Sequence, residues 1–145
     1  GEYEATPFFE AGGDITTVLG ASDMATMKGV IKAANANNAE AQIDLIGVED
    51  KAAVAKEAAS NGAHIIGVHT GLDAQAAGQT PFEDLKTIAG LGLNVKVSVA
   101  GGINKDTIQS TVQAGADIVV VGAAIYGAPS PAESAKELRA LVDAA

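Results

Sequence analysis

Short apolar runs that each follow a glycine are the main pattern of this chain. Each run is preceded by a small residue, a glycine and a polar residue, and it ends in glycine or a small polar loop. Three segments share this frame: "AGGDITTVLGA" (11–21), "NGAHIIGVHTG" (61–71) and "AGADIVVVGAA" (114–124). Gly12, Gly62 and Gly115 are predicted to end helices, because glycine adopts the left-handed conformation that this position favours. The pattern therefore predicts a repeated unit of helix and strand.

Two further strands and six helices complete an alternating order. The strand candidates are "AQIDLIG" (41–47) and "NVKVSVAGG" (94–102). Helices are predicted over residues 2–10, 25–36, 51–60, 81–91, 105–113 and 131–144. We expect Ser22 or Asp23 to cap the second helix and Asn104 to cap the fifth, while Pro131 suits the first turn of the last. Helices that alternate with short buried strands predict a parallel sheet.

The number of strands leaves two architectures open. Five strands in 145 residues give about 29 residues per unit, near the roughly 30 of a (β/α)8 barrel. Five strands do not close such a barrel, and the first predicted element is a helix. From the residues alone, the fold is either an open doubly wound sheet or the later part of a barrel. We expect a single domain over residues 1–145, since no linker or low-complexity segment interrupts the pattern.

Composition narrows the classes of function. Hydrophobic residues make up 48% of the chain but aromatic residues only 3%, which suits buried parallel strands covered by Ala-rich helices. Cysteine is absent, which excludes disulfides, cysteine nucleophiles and thiolate metal sites. The net charge of -9 argues against nucleic acid as a partner, and no apolar stretch is long enough to indicate a membrane. We expect a cytoplasmic protein.

Parallel α/β folds carry their sites at the carboxyl ends of the strands, where Asp44 is the first candidate. Asp44 stands between Ile43 and Leu45 in an apolar strand, and the two-residue period turns it to the opposite face. A buried carboxylate needs a lysine, a metal or a hydrogen-bond network beside it. The alternative is a structural carboxylate that caps a neighbouring loop. We favour a functional role.

His69 is the second candidate, because an imidazole at a strand end suits proton transfer near neutral pH. A core histidine bonded to a backbone carbonyl is an equally good interpretation of its position. His64 begins the same strand at the opposite end and is expected at the surface. The segment after His69, predicted to be a loop, supplies Asp73 and Gln75. Asp73 suits a turn or a cap, and Gln75 could position a substrate hydroxyl, but on the residues alone a structural role is favoured for both.

Glycines at the ends of the last two strands indicate a phosphate site. They occur in "VAGGIN" (99–104) and "VGAAIYG" (121–127). Glycine lets backbone N–H groups approach a phosphate, and the helix N-termini that follow add a favourable dipole. In barrels, the loops after strands seven and eight form the usual phosphate site.

The chain resembles the 3-hexulose-6-phosphate synthases, in the orotidine-5′-phosphate decarboxylase group of (β/α)8 barrels. The resemblance extends over all 145 residues and is carried by "DITTVLGASDMATMKG", "AQIDLIGVEDK", "VHTGLDAQAAG", "VSVAGGINKDTI" and "GADIVVVGAAIYGAPSPAESAKELR". It implies an α/β fold of the TIM barrel class, of which this chain covers helix 3 and strands 4 to 8 with their helices. Residues 1–145 are then the carboxyl-terminal part of the barrel.

The resemblance also implies a reaction and a set of site residues. Formaldehyde condenses with ribulose 5-phosphate to 3-hexulose 6-phosphate, in a Mg²⁺-dependent aldol reaction through an enediolate held by the metal. Asp44 and His69 match catalytic positions. The residues that match phosphate-binding positions are Gly101, Gly102, Gly122 and Ala123. The candidate contacts to the rest of the substrate are Thr70, Asp73 and Gln75.

Two alternatives stand beside the synthase. The related 3-keto-L-gulonate-6-phosphate decarboxylases carry Glu where this chain has Asp44, Arg-Ser-Arg in place of residues 70–72, and Arg in place of Ala123, so these positions favour the synthase. The group's Asp-x-Lys-x-x-Asp signature and a second-strand carboxylate, which supply the metal ligands and the catalytic lysine, are expected before Gly1. This chain alone is then predicted to hold no metal and to be inactive, and the complete form to be a homodimer. A non-catalytic partial barrel that binds phosphate is the other alternative.

Overall fold

The computed structural model describes residues 1–145 and has an α/β fold with a parallel five-stranded sheet, in which the strands follow one another in chain order. The strands are β1 (Ile15–Leu19), β2 (Glu40–Asp44), β3 (Ile65–His69), β4 (Lys96–Ala100) and β5 (Ile118–Val120). The helices are α1 (Glu2–Glu10), α2 (Met24–Ala36), α3 (Lys51–Ser60), α4 (Leu72–Ala76), α5 (Phe82–Gly90), α6 (Ile108–Gln113), α7 (Ala123–Tyr126) and α8 (Pro131–Asp143). None of these helices combines the length and the hydrophobicity needed to cross a membrane.

The chain divides into two compact units, and the division falls within β3 and β4. The first unit comprises residues 1–67 and 91–96, and the second comprises residues 68–90 and 97–145. The expectation of a single domain stays a prediction.

The first unit is built on β1 and β2, with α2 packed against both strands and against α1. Strand β2 pairs with β1 in parallel, with Asp44 opposite Leu19. Ile43 and Leu45 are fully buried, whereas Asp44 between them is only half-buried. The two-residue alternation predicted for this strand is therefore confirmed.

His64 differs from its expected place at the surface. It is half-buried, and its Nδ1 accepts a hydrogen bond from the backbone N–H of Ala41 at 3.0 Å. Its Nε2 lies 2.9 Å from Oδ1 of Asn35. The neutral imidazole with its proton on Nε2 satisfies both contacts, so His64 connects the start of β2 to the end of α2. The surface prediction was wrong because a period of two does not reveal a bond to the neighbouring strand's backbone.

Replacing His64 with Ala is expected to lower the free energy of unfolding by about 1–3 kcal/mol, because the N–H of the fully buried Ala41 loses its acceptor. Urea unfolding followed by circular dichroism measures the change. Asn35→Ala is the matched control, since Asn35 is exposed and its loss is expected to cost less than about 0.5 kcal/mol. Equal effects of the two substitutions would contradict the assignment.

In the second unit α6 packs against β5, and α8 packs against α6 and α7. Leu85 and Ile88 of α5 and Ile108 of α6 are buried. Strand β4 has three consecutive buried residues, 97–99, and pairs in parallel with β5. Asp117 fixes the start of this pair, because its carboxylate accepts from the Val97 N–H at 2.8 Å and its own N–H donates to the Val97 carbonyl at 2.9 Å.

Most predicted helix ends are confirmed. Gly12, Gly62 and Gly115 follow their helices with φ of 101°, 92° and 112°. Asp23 caps α2 by accepting from the Thr26 N–H at 2.8 Å; this bond and a second one from the Thr26 hydroxyl lower the pKa of Asp23. Pro131 lies in the first turn of α8, as expected.

Two predictions about local structure were wrong, and one short helix was not predicted. Helix α6 begins at Ile108 with Thr107 at its N-cap, because Asn104 instead forms a tight turn in which its side chain accepts from the Asp106 N–H at 2.9 Å. The segment after His69 is not a plain loop but contains the one-turn helix α4. Another one-turn helix, α7, follows β5. A single turn is too short to produce the 3.6-residue period by which helices are recognised.

Candidate functional site

A cavity of about 220 Å³ lies at the carboxyl ends of the strands in the second unit, and we call it the strand-end cavity. It contains six of the residues singled out from the sequence: His69, Gln75, Gly101, Gly102, Gly122 and Ala123. The remaining lining residues are Leu72, Ala100, Ile103, Val120, Ala124 and Tyr126. Residues separated by up to 54 positions along the chain (69 to 123) therefore meet in one place, as the parallel topology predicts.

The turn formed by Gly101 and Gly102 makes one wall of this cavity. Both residues have positive φ, 113° and 70°. A Cβ on Gly101 would lie 2.4 Å from the carbonyl oxygen of Thr70, which is backbone and has little room to move. Only glycine fits here, and its bare backbone faces the cavity without a side chain in between.

Helix α7 forms a second wall. Gly122 is its N-cap, and the Gly122 carbonyl accepts from the backbone N–H groups of Ile125 and Tyr126 at 2.8 and 3.2 Å. The first N–H groups of a helix have no acceptor within the helix, and they favour anions. Neither Lys nor Arg lines the strand-end cavity. An anion there would be bound through main-chain N–H groups.

The three candidate substrate contacts occupy different places. Gln75 lines the cavity, whereas Thr70 and Asp73 do not. Thr70 is 8% exposed; its N–H donates to the Ala100 carbonyl at 3.1 Å, and its own carbonyl accepts from Nε2 of Gln75 at 2.7 Å. Asp73 is exposed in the first turn of α4. Thr70 is thus part of the scaffold of the cavity, and Asp73 lies on the outer side of α4.

Asp44 belongs to the first unit, where it ends β2 opposite Gly67 of β3. Its Oδ1 accepts from the Ile46 N–H at 2.9 Å, which is the capping of a neighbouring loop that we weighed as the alternative to a functional role. The two interpretations do not exclude each other, because this bond occupies one carboxylate oxygen and fixes the side-chain rotamer. The cooperation of Asp44 with His69 stays a prediction.

Sequence reasoning missed two large side chains at the strand-end cavity. Leu72 and Tyr126 line it and are 76% and 73% exposed. Both lie on the one-turn helices α4 and α7, which have no periodic signal. The clue in the sequence was their position, since each lies beside small residues in a segment that follows a strand end.

The residues of this chain do not form a metal site by themselves. No group of three or more His, Cys, Asp or Glu side chains is close enough together to hold a metal ion. Mg²⁺ prefers several oxygen ligands in near-octahedral geometry. We therefore derive no step of the chemistry through a metal.

Comparisons with known proteins agree with this geometry. A 3-hexulose-6-phosphate synthase of Methylomonas aminofaciens is 62% identical over 141 residues, which are 97% of this chain and 68% of that protein. The solved 3-hexulose-6-phosphate synthase of Salmonella typhimurium has a TM-score of 0.94 at 36% identity, covering 99% of this chain and 68% of that one. A 3-keto-L-gulonate-6-phosphate decarboxylase of Vibrio cholerae is more distant, with a TM-score of 0.83 at 28% identity, covering 99% and 67%.

A family model provides an independent match. The model of the orotidine 5′-phosphate decarboxylase / HUMPS family covers residues 1–138. The resemblance inferred from the sequence motifs is thereby confirmed over almost the whole chain. The chain belongs to the orotidine 5′-phosphate decarboxylase / HUMPS family.

Proposed function

We propose that this chain is the part of a 3-hexulose-6-phosphate synthase that binds the sugar phosphate and carries the His–Asp half of the active site. The reaction is the condensation of formaldehyde with D-ribulose 5-phosphate to 3-hexulose 6-phosphate. One observation carries the proposal: His69 and the glycines of two successive strand ends line the same cavity. The chain corresponds to helix 3 and strands 4 to 8 of a (β/α)8 barrel, in keeping with its parallel sheet and with the 68% of the relatives' length that it spans.

The phosphate is bound by main-chain N–H groups of Gly101, Gly102, Gly122 and Ala123. The positive φ of the two glycines after β4 and the N-terminus of α7 support this role, since both present backbone dipoles to the same small volume. The chain's net charge of -9 opposes an anion at long range. Local dipoles at hydrogen-bond distance outweigh that field, because exposed charges more than about 10 Å away are screened at 0.1 M salt.

His69 moves a proton between the sugar and the solvent. Carbon–carbon bond formation requires the loss of a proton from C1 of ribulose 5-phosphate, attack of C1 on the formaldehyde carbon, and protonation of the formaldehyde oxygen. An imidazole suits such transfers near neutral pH. Asp44, which the family resemblance matches to a catalytic position, contributes its negative charge to the reaction. Mg²⁺, which the family resemblance implies, would take its ligands from outside this chain.

The decarboxylase is disfavoured at three positions. Asp44, the segment 70–72 and Ala123 differ from the Glu, Arg-Ser-Arg and Arg that mark the decarboxylases. An arginine at position 123 would place a guanidinium at the N-terminus of α7, where this chain has a methyl group. The higher identity to the synthases, 62% against 28%, supports the same choice.

An activity assay tests the proposal. The chain is joined behind the amino-terminal segment of the Methylomonas aminofaciens synthase, and ribulose 5-phosphate consumption is followed with and without formaldehyde in the presence of Mg²⁺. We expect consumption that depends on formaldehyde from the fusion and none from the 145-residue chain alone. Release of CO₂ from 3-keto-L-gulonate 6-phosphate without any formaldehyde-dependent reaction would assign the chain to the decarboxylases. Turnover by the chain alone would overturn its assignment to strands 4 to 8.

A further inference from the structure

The side chain of Gln75 connects the strand end that carries His69 to the glycine turn after β4. Its Nε2 donates to the Thr70 carbonyl at 2.7 Å. Nε2 also lies 3.2 Å from the position of a Cβ on Gly101, and Oε1 lies 3.3 Å from that on Gly102. The amide of Gln75 therefore occupies the space that side chains at positions 101 and 102 would need, while it is hydrogen-bonded to the residue that follows His69.

Gln75 also joins its own helix to the end of β3 through a side-chain hydrogen bond to Thr70. Helix α4 has five residues and buries none of them, and so short a helix has no stability of its own. The N–H of Gln75 donates to the Gly71 carbonyl at 2.9 Å, which closes the single turn. The side-chain bond to Thr70 then holds this turn in place.

Two cavities meet at Gln75. The strand-end cavity lies on one side, and a larger cavity of about 550 Å³, which we call the lateral cavity, lies on the other. The lateral cavity is lined by α5, α6 and residues 78–81, and it shares Gln75, Gly101, Gly102 and Ile103 with the strand-end cavity. The glycine turn is thus open on its lateral side, and Gln75 is a polar side chain that packs against it there.

We infer that Gln75 is a positioning residue, which sets the phosphate-binding glycine turn relative to His69 and does not bind a substrate hydroxyl. This inference rests on the proposed function. Its Nε2 is already engaged by a backbone carbonyl at 2.7 Å, and its Oε1 faces Gly102. The glycines have no side chains to fix their own position, and glycine is the residue with the widest choice of backbone conformations. The bond from Gln75 supplies the missing restraint.

The variant Gln75→Glu tests the inference, because it keeps the shape of the side chain and removes the donor. A carboxylate oxygen then meets the Thr70 carbonyl, and the turn loses its restraint. Gln79→Glu is the matched control. Gln79 is exposed and lines the lateral cavity but not the strand-end cavity, so this substitution adds the same charge away from the glycine turn. Gln75→Met is a second variant, which removes the amide without adding charge.

Two readouts separate positioning from direct binding. The first is the dissociation constant of inorganic phosphate, followed by NMR through the backbone amides of Gly101 and Gly102 in the synthase fusion. The second is the KM for ribulose 5-phosphate. We expect Gln75→Glu and Gln75→Met to raise both the dissociation constant of phosphate and the KM by about tenfold or more. We expect Gln79→Glu to change either quantity by less than twofold. Inorganic phosphate has no sugar hydroxyl, so a loss of its affinity shows that Gln75 does not act by binding such a hydroxyl.

Several outcomes would overturn the inference. One is a raised KM with unchanged phosphate affinity in both Gln75 variants, which would make Gln75 a ligand of the sugar. Another is an equal loss in Gln79→Glu, which would make the effect one of charge alone. The proposed function can fail separately. If the fusion binds phosphate in a Gln75-dependent manner but does not consume formaldehyde, the positioning role of Gln75 stands and the assignment as a synthase is wrong.

Discussion

Replacing His69 with Asn in the synthase fusion is expected to lower kcat by about two to four orders of magnitude, the usual contribution of a positioned general acid or base. Among the residues that line the strand-end cavity, His69 and Tyr126 are the two whose side chains can act as an acid or a base. An imidazole takes up and releases a proton readily near neutral pH, whereas a phenol in water does so only near pH 10. His69 is also half-buried at the end of a strand, while Tyr126 is 73% exposed.

The proton-transfer role has its own readout. Ribulose 5-phosphate incubated in D₂O without formaldehyde exchanges its C1 proton, and NMR follows the exchange. We expect His69→Asn to slow this exchange and the complete reaction to a similar degree, and Tyr126→Phe to change either less than threefold. Normal exchange with an impaired condensation would move His69 to the formaldehyde step and contradict its assignment as the group that deprotonates the sugar.

The strands of this fold are predictable from sequence because their signal is local. Glycine at a helix end, followed by a β-branched run, gives the order of elements in a single reading of residues 1–145. The strand-end rule then identifies His69, Gly101 and Gly122 before any coordinates are known, since parallel strands bring their carboxyl ends to one edge. That edge is where the strand-end cavity lies.

Other features are not local and could not be predicted from the sequence. The bond from Gln75 to Thr70 depends on how a one-turn helix sits on the strand end. The hydrogen bond between His64 and the Ala41 N–H joins residues 23 positions apart, and no sequence pattern in either segment predicts it. The backbone N–H and carbonyl of Thr70 are both engaged in hydrogen bonds that no sequence pattern predicts, and a contact of its side chain with the substrate stays a prediction. Position along a strand predicts which residues reach an edge, not which of their atoms remain available there.

The charge of Asp44 and its hydrogen-bonding shape can be separated experimentally. Oδ1 accepts from the Ile46 N–H, and an asparagine at this position retains an oxygen that accepts the same bond. Asp44→Asn therefore keeps the turn over residues 44–46 while it removes the negative charge. Asp44→Ala removes both, and leaving the Ile46 N–H without its acceptor is expected to cost about 1 kcal/mol of unfolding free energy.

In the synthase fusion, Asp44→Asn is expected to lower kcat by about 100-fold or more while the midpoint of thermal unfolding changes by less than about 3 °C. Steady-state kinetics and calorimetry measure the two quantities. Asp50→Asn is the matched control, because Asp50 also accepts from a backbone N–H, that of Ala53 at 3.0 Å, and lies exposed at the N-cap of α3. It makes the same chemical change and is expected to leave kcat within twofold. If Asp44→Asn retained full activity while Asp44→Ala lost both activity and stability, Asp44 would be a turn-forming residue, and the catalytic role would pass to other carboxylates of the complete enzyme.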